Sequence, residues 1–129
     1  MKLQFIFGYF IIAFLSCHKN NDNIIVGEWS NCQTTTFQNN GEETTISYNV
    51  CPIIVFVNDH SGYIKRGSIH AVPFTWRIDE GKLIIKHTDS TNDDIIDDGS
   101  YQIIFGNKKS YHEINLLNSI KKVKYSLSK

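Results

Sequence analysis

The sequence predicts an all-β fold, an antiparallel meander of eight strands that closes into a barrel. Apolar and polar residues alternate with a period of two in successive segments, which is typical of strands with one buried face. Clusters of Gly, Asn, Asp and Ser separate these segments, and no helical crossover interrupts them. The 129 residues, 41% of them hydrophobic, suffice for one domain with a single core. A two-sheet sandwich is the alternative, but short sequential turns favour closure because a barrel has no free edges.

Residues 1–16 have the pattern of a lipoprotein signal peptide. A single lysine precedes an apolar run that is too short to span a bilayer comfortably and suits the hydrophobic region of a signal peptide. The run ends in Phe-Leu-Ser before Cys17, which resembles the lipobox of bacterial lipoproteins. The alternatives are an ordinary cleaved signal peptide and a membrane anchor that stays attached.

Cys17 is therefore predicted to carry the lipid. Residues 17–23 would form the lipidated cysteine and a polar tether, and residues 24–129 the barrel domain. Acyl chains such as palmitate on this cysteine would hold the protein stably on a membrane. The predicted location is the bacterial cell envelope, at the periplasmic or surface face of the outer membrane.

Cys32 and Cys51 remain as an even pair if Cys17 is lipidated. Export implies an oxidising compartment, so a disulfide between them is predicted, with a stabilisation of about 3 kcal/mol in the loop-entropy model. A zinc site and a redox pair are the alternatives. No histidine stands at a zinc-ligand spacing, and the Cys-x-x-Cys pattern is absent.

The first four strands are predicted at 24–36, 52–57, 62–65 and 68–78. The first opens with Ile-Ile-Val-Gly-Glu-Trp and continues through threonine-rich residues to a turn or loop at 39–43. The second is a β-branched run, and the hairpin-type turn Asn-Asp-His-Ser-Gly joins it to the short third strand. In the fourth strand, the apolar face carries Val72, Phe74, Trp76 and Ile78, and the polar face carries Thr75 and Arg77.

The last four strands are predicted at 83–88, 101–105, 111–117 and 121–127. A tight Asp-Glu-Gly-Lys turn leads into the first of them, in which Leu83, Ile85 and His87 share one face. An acidic loop follows, and then Tyr101, Ile103 and Phe105 share a face. An Asn-Lys-Lys-Ser turn precedes the final two strands.

The inward-facing side chains of these strands are the candidates for a ligand cavity or a filled barrel core. They are Trp29, Val72, Phe74, Trp76, Ile85, His87, Tyr101, Ile103 and Phe105. Eight-stranded barrels either hold one small ligand or fill their interior with side chains, and the sequence leaves both alternatives open.

The Gly27-Glu28-Trp29 segment resembles the Gly-x-Trp signature in the first strand of lipocalins. Cys51-Pro52 with its β-branched run, and the later Phe74-x-Trp76 strand, resemble the ordered pattern of lipocalin-like lipoproteins of the Bacteroidetes, over residues 24–126. The resemblance implies that Trp29 plugs the closed end of the barrel.

The chain departs from the true lipocalin pattern in three respects. The Thr-Asp-x-Tyr motif and the C-terminal helix are missing, and so is the arginine near the C-terminus that lipocalins pack against the tryptophan. Lys121, Lys122 or Lys124 would have to replace that arginine.

The sequence contains no pattern for catalysis or for a cofactor, and the protein is predicted not to be an enzyme. Gly-x-Ser-x-Gly, phosphate-loop and dinucleotide patterns are absent. His70 and His87 could point together into a cavity, although a satisfied or rim-exposed histidine is commoner. Five aspartates within 89–98 could bind calcium, but they lack the EF-hand spacing, so a solvated loop without a metal is predicted.

These observations predict a lipid-anchored envelope barrel that binds a small hydrophobic or amphipathic ligand. The alternative is an envelope interaction protein, or a protease-inhibitor-like barrel, with a filled core and no small-molecule ligand. Equal numbers of basic and acidic residues, 13 of each, exclude a general nucleic-acid binder. The predicted partners are the membrane, through the lipid anchor, and the small ligand.

Overall fold

A computed structural model describes residues 22–67, 70–89, 95–106 and 112–129. Within these ranges, one short helix, α1 (Asp22–Ile25), precedes nine strands. The strands are β1 (Gly27–Phe37), β2 (Glu43–Ser47), β3 (Ile53–Phe56), β4 (Ser61–Arg66), β5 (His70–Asp79), β6 (Lys82–His87), β7 (Gly99–Phe105), β8 (Glu113–Asn118) and β9 (Val123–Ser128). Within the described ranges, no helix is long and apolar enough to cross a bilayer.

All strand pairings are antiparallel, and the sheet closes on itself. From β3 onward each strand pairs with the next in the chain, β1 pairs with β3, and β9 returns to pair with β1. The predicted antiparallel eight-stranded barrel is therefore confirmed, with β2 as an additional strand. The predicted signal peptide, Cys17 and residues 18–21 of the tether lie outside the described residues.

The structure differs from the predicted strands at two places near the N-terminus. Ile24, predicted to begin the first strand, lies in α1, and the strand begins at Gly27. β2 occupies Glu43–Ser47, where no strand was predicted. Its five residues are all exposed, so the segment has no apolar alternation that the sequence could reveal.

β2 and β3 lie one after the other along the same edge of β1. β3 pairs with Gly27–Ser30 of β1, and β2 pairs with the second half of the same strand, Gln33 to Phe37. The chain leaves the edge of β1 in the loop 48–52 between them. A disulfide joins Cys32 of β1 to Cys51 of this loop, with the two Cα atoms 4.5 Å apart, which confirms the predicted pairing.

The strand registers define two ends of the barrel. The helix end holds α1, the β3–β4 turn and the C-terminal residue Lys129, because Gly27 pairs with Phe56 and Ser30 with Ser128. The hairpin end holds the β1–β2 turn and the β8–β9 turn, because Phe37 pairs with Glu43 and Thr36 with Val123.

Candidate functional site

The predicted inward-facing residues come together in one core. Trp29, Phe74, Trp76, Ile85 and Tyr101 are all buried. Partly buried hydrophobic residues pack against this cluster, among them Val72, Ile103 and Phe105. The ninth predicted residue, His87, is largely buried at the end of β6, with its ring centre 6.1 Å from that of Phe74.

Aromatic rings fill much of the interior between these strands. The Phe56 ring lies 5.4 Å from that of Phe74 and 5.7 Å from that of Trp76, both edge to face. Four clefts lined by described residues have volumes of about 280–380 Å³, and Trp29, Phe74, Ile85 and Tyr101 line none of these four. The Phe56, Phe74 and Trp76 rings therefore pack against one another in this part of the interior.

Trp29 lies at the helix end and is covered there by α1 and Lys129. Its indole N–H donates to the Ile25 carbonyl of α1 at 2.7 Å. The Lys129 ammonium lies 4.6 Å from the ring centre and also donates to the Val26 carbonyl at 3.2 Å. A cation over an indole face is attracted by the ring quadrupole, so Lys129 closes this end electrostatically.

The prediction that Lys121, Lys122 or Lys124 covers Trp29 is wrong. All three lie near the hairpin end, where Lys121 approaches Asp97 at 3.6 Å and Lys124 lies 5.9 Å from the Phe37 ring centre. The predicted last strand stopped at Leu127, whereas β9 continues to Ser128 and pairs with Ser30 of β1. That one-residue extension brings the following lysine beside the tryptophan.

The β3–β4 turn packs on Trp76 at the helix end. The Trp76 indole N–H donates to the carbonyls of Val57 at 3.1 Å and Ser61 at 2.9 Å. His60, in the left-handed region with φ of 68°, places its ring 5.0 Å from that of Trp76 and its Nε2 3.4 Å from Asp22 of α1. The turn and the helix are therefore held against the same tryptophan.

Asp59, His60 and Ser61 are residue types found in hydrolase active sites, but here they form a turn. The Ser61 hydroxyl and N–H both donate to Asp59 Oδ1, at 2.5 and 2.9 Å, and these hydrogen bonds hold the pKa of Asp59 below its usual range. His60 is paired with Asp22 on the other side. The hydroxyl therefore donates to a carboxylate and not to an imidazole base, which differs from an activated serine nucleophile.

His87 and Asp98 form a close pair at the hairpin end of β6. Asp98 Oδ1 lies 2.6 Å from both the backbone nitrogen and the Nδ1 of His87. Partial burial raises the pKa of Asp98, but the hydrogen bonds from His87, together with the charges of His87 and Lys121, outweigh it and leave this pKa below its usual range. His87 Nε2 is buried and has no hydrogen-bond partner among the described residues.

The second histidine of the predicted pair is not placed beside His87. The backbone of His70 pairs with Arg66, whereas His87 pairs with Phe74, four residues further along β5. The side chain of His70 lies outside what the structure describes.

The predicted acidic loop is only partly solvated. Ile95 and Ile96 are buried in the core. The Tyr101 hydroxyl donates to the Asp97 carbonyl at 2.5 Å, and burial raises the pKa of this tyrosine. Burial and the nearby Asp97 charge likewise raise the pKa of Tyr125 to about 12. Among the described residues, no three His, Cys, Asp or Glu side chains converge, and residues 90–94 of this loop lie outside them.

A shallow apolar groove at the hairpin end is the site that the sequence did not reveal. It lies between the β1–β2 and β8–β9 turns, has a volume of about 370 Å³, and is lined by Phe37, Gln38, Leu117, Ser119 and Lys122. The neighbouring Ile120 is 90% exposed at the tip of the β8–β9 turn. We refer to these six residues as the hairpin-end groove.

The turn that carries Ile120 is well ordered by hydrogen bonds. The buried Asn118 accepts the backbone N–H groups of Ile120 at 3.1 Å and Lys121 at 2.9 Å through its Oδ1. The Phe37 N–H donates to the Lys122 carbonyl at 2.8 Å, which ties the turn to β1. The feature of the sequence that indicates this groove is an isoleucine within the otherwise polar turn Asn-Ser-Ile-Lys-Lys.

No protein-family model, curated protein or solved structure matches the chain. The class that the fold itself defines is a closed antiparallel β-barrel with one disulfide and an additional edge strand.

Proposed function

We propose that the chain is a lipid-anchored module of the bacterial cell envelope that binds a partner protein through the hairpin-end groove. The observation that carries this proposal is Ile120, an almost fully exposed apolar side chain on a hydrogen-bonded turn beside an apolar groove. A rigid turn holds such a side chain ready for burial in a partner, with little entropy left to lose.

The packing of the buried aromatic rings supports this function over the binding of a small ligand inside the barrel. An enclosed ligand needs space that the buried rings of Phe56, Phe74 and Trp76 occupy in the described part of the core. The proposal thus corresponds to the interaction alternative predicted from the sequence, of which a protease-inhibitor-like barrel is one form.

The position of α1 supports an orientation in which the groove points away from the membrane. Cys17, the predicted lipid acceptor, precedes the first residue of α1 by five positions. Five extended residues span at most about 17 Å, so the anchor would hold the helix end near the bilayer. The hairpin end lies at the other end of β1 and would remain accessible to a partner.

The residues around the groove indicate the chemistry of the partner. Phe37, Leu117 and Ile120 supply apolar surface, and Lys121, Lys122 and Lys124 supply positive charge near it. The matching surface is an apolar pocket with acidic residues at its rim. Burial of an isoleucine side chain in such a pocket contributes about 1.5–3 kcal/mol.

Site-specific photo-cross-linking in cells that make the protein naturally tests this proposal. A benzophenone amino acid at Ile120 of the full chain is compared with the same probe at Glu80, which is exposed in the β5–β6 turn at the helix end. We expect one adduct of discrete mass from position 120 and none from position 80. Equal labelling from both positions, or none from position 120, would exclude the groove as a docking site.

Two further measurements test the anchor and the filled core separately. Cys17→Ser should abolish metabolic labelling of the protein with palmitate, whereas Cys32→Ser should not. A native mass spectrum of the intact protein should show no small apolar adduct that is lost on denaturation. Such an adduct would favour the ligand-binding function, and unchanged labelling of the Cys17 variant would exclude the lipid anchor.

A further inference from the structure

β2 is an edge strand in the described part of the molecule. It pairs with β1 on one side, and none of the other described strands pairs with its second side. All five of its residues are exposed, and Ile46 is 52% exposed. Such an edge carries a row of backbone N–H and C=O groups that are available to another strand.

The hydrogen bonds at the two ends of β2 establish which backbone groups point outward. Gln38 N donates to Glu42 O at 2.8 Å, and Tyr48 N donates to Cys32 O at 3.0 Å. Hydrogen-bonded pairs alternate along an antiparallel ladder, so the even-numbered residues of β2 face β1. The backbone groups of Glu43, Thr45 and Ser47 therefore face away from it.

The side-chain contact between Thr35 and Thr45 agrees with this alternation. Their hydroxyl oxygens lie 2.9 Å apart across the β1–β2 ladder. Side chains approach most closely at pairs that do not exchange backbone hydrogen bonds, which leaves the N–H and C=O of Thr45 for the free edge.

We propose that β2 pairs with β2 of a second copy, antiparallel, about a two-fold axis at Thr45. In this register Thr45 pairs with Thr45 of the second copy, and each Glu43 pairs with a Ser47. All three outward-facing residues of each copy then exchange both backbone hydrogen bonds, six in total. A shift by one residue places outward groups opposite inward groups, and a shift by two loses one of the three pairs.

The side chains of β2 are compatible with a second copy as the occupant. Thr44 of one copy comes to lie opposite Ile46 of the other. Both residues are β-branched and therefore favourable in strands. The two Glu43 carboxylates stand opposite serines, four positions apart along the edge, so like charges do not face each other. The isologous contact is closed by its symmetry, which limits assembly at this edge to a dimer.

A cleft beside the end of β2 gives the second copy further contacts. It has a volume of about 320 Å³ and is lined by Tyr48, Val50, Cys51, Pro52, Arg66 and Gly67. In the proposed register, Glu42 of the second copy pairs with Tyr48, which brings the acidic turn of that copy towards the Arg66 guanidinium. Val50, which is 75% exposed, would be covered there.

Dimerisation through β2 does not depend on the proposed partner or on the lipid anchor. β9 pairs with the edge of β1 opposite β2, and the hairpin-end groove is lined by residues of the β1–β2 and β8–β9 hairpins and by none of the outward-facing residues of β2. A dimer would therefore leave both grooves open and display two of them. A failure of the partner cross-link would leave the oligomeric state unaffected, so the two proposals fail separately.

Sedimentation equilibrium of the full chain in a density-matched detergent tests the dimer. Thr45→Pro removes the outward N–H, and Thr45→Val is the matched control because both substitutions remove the hydroxyl. We expect the unchanged chain and Thr45→Val to dimerise with a micromolar Kd, and Thr45→Pro to dimerise at least about tenfold more weakly. A monomeric unchanged chain, or equal affinities for the two variants, overturns the proposal.

A cross-linking variant tests the register even if Thr45→Pro fails to fold. Thr44 and Ile46 form a close pair between copies that exchanges no backbone hydrogen bonds, so the double substitution Thr44→Cys with Ile46→Cys should yield a disulfide-linked dimer on mild oxidation. Glu28→Cys, on the exposed outer face of β1, is the control and should remain monomeric. Absence of the linked dimer, or equal cross-linking of the control, rejects the register.

Discussion

The Lys129 ammonium lies 4.6 Å from the centre of the Trp29 ring, at the end of the barrel where the chain enters its first strand. Residues at the two ends of the domain are thus in direct contact. The Ser30–Ser128 pair and the hydrogen bond from Lys129 N to His112 O at 2.9 Å fix the last residue in this position. The contact therefore depends on closure of the barrel between β1 and β9.

Removal of the Lys129 side chain should destabilise the fold. Lys129→Ala loses the cation–π contact and the hydrogen bond to Val26, and we expect unfolding to become easier by about 1 kcal/mol. Lys129→Arg should keep most of this stability. Urea unfolding followed by tryptophan fluorescence measures both, with Lys82→Ala at an exposed position as the control. A Lys129→Ala protein as stable as the control would show that the contact contributes nothing.

Gly62 in β4 should not tolerate a side chain. A Cβ at this position would lie 2.3 Å from Phe74 Cζ and 2.7 Å from the Val55 carbonyl oxygen. Because the core cannot relax freely, Gly62→Ala should cost about 1–3 kcal/mol. If the clash with the ring is the main cause, Gly62→Ala combined with Phe74→Leu should cost less than the sum of the two single changes. Additive costs in denaturant unfolding would assign the effect to the backbone.

Loss of the Cys32–Cys51 disulfide should loosen the junction between β2 and β3. The bridge joins β1 to the loop that interrupts its neighbouring edge, and its 19-residue separation corresponds to about 3 kcal/mol. The free energy of unfolding of the Cys32→Ser, Cys51→Ser double variant should be lower by that amount in urea titrations. A reducing agent should lower the stability of the unchanged chain and leave the double variant unaffected. The prediction fails if reduction destabilises both proteins equally.

The Asp98–His87 pair should make stability depend on pH on the acidic side. Because the folded-state pKa of Asp98 lies below its usual value, its contribution is complete above the unfolded pKa of about 4 and is lost as the pH falls through the folded pKa. Asp98→Asn should therefore cost about 1 kcal/mol at neutral pH, and the cost should decrease as the pH falls below about 4 towards the folded pKa. Thermal unfolding between about pH 3 and 7 measures this loss of stability. Asp79→Asn, at an exposed position, is the control. A cost that stays constant with pH contradicts the assignment.

Strands with one buried face were predictable, and the strand without one was not. Phe74 and Trp76 alternate with exposed Thr75 and Arg77, and the structure follows this pattern. β2 has no buried residue, so its strand conformation depends on hydrogen bonds to β1. The periodicity of the local sequence cannot predict a strand that is stabilised only by pairing with a neighbouring strand.

The hairpin-end groove could not be predicted from the sequence for a related reason. Phe37 and Lys122 are 85 positions apart in the sequence and become neighbours only because β9 closes onto β1. Ile95 and Ile96 show the converse: they stand within an acidic segment, yet the barrel buries them. In both cases a long-range contact outweighs the composition of the local segment.

The sequence by itself determined the all-β class, the inward faces of the strands and the disulfide pair, because alternation and cysteine count are local or compositional properties. Tertiary structure decided which lysine covers Trp29, which strand edge stays free and where the exposed Ile120 sits. These features depend on register and closure, which the summed hydrogen bonds and packing of all the strands set together.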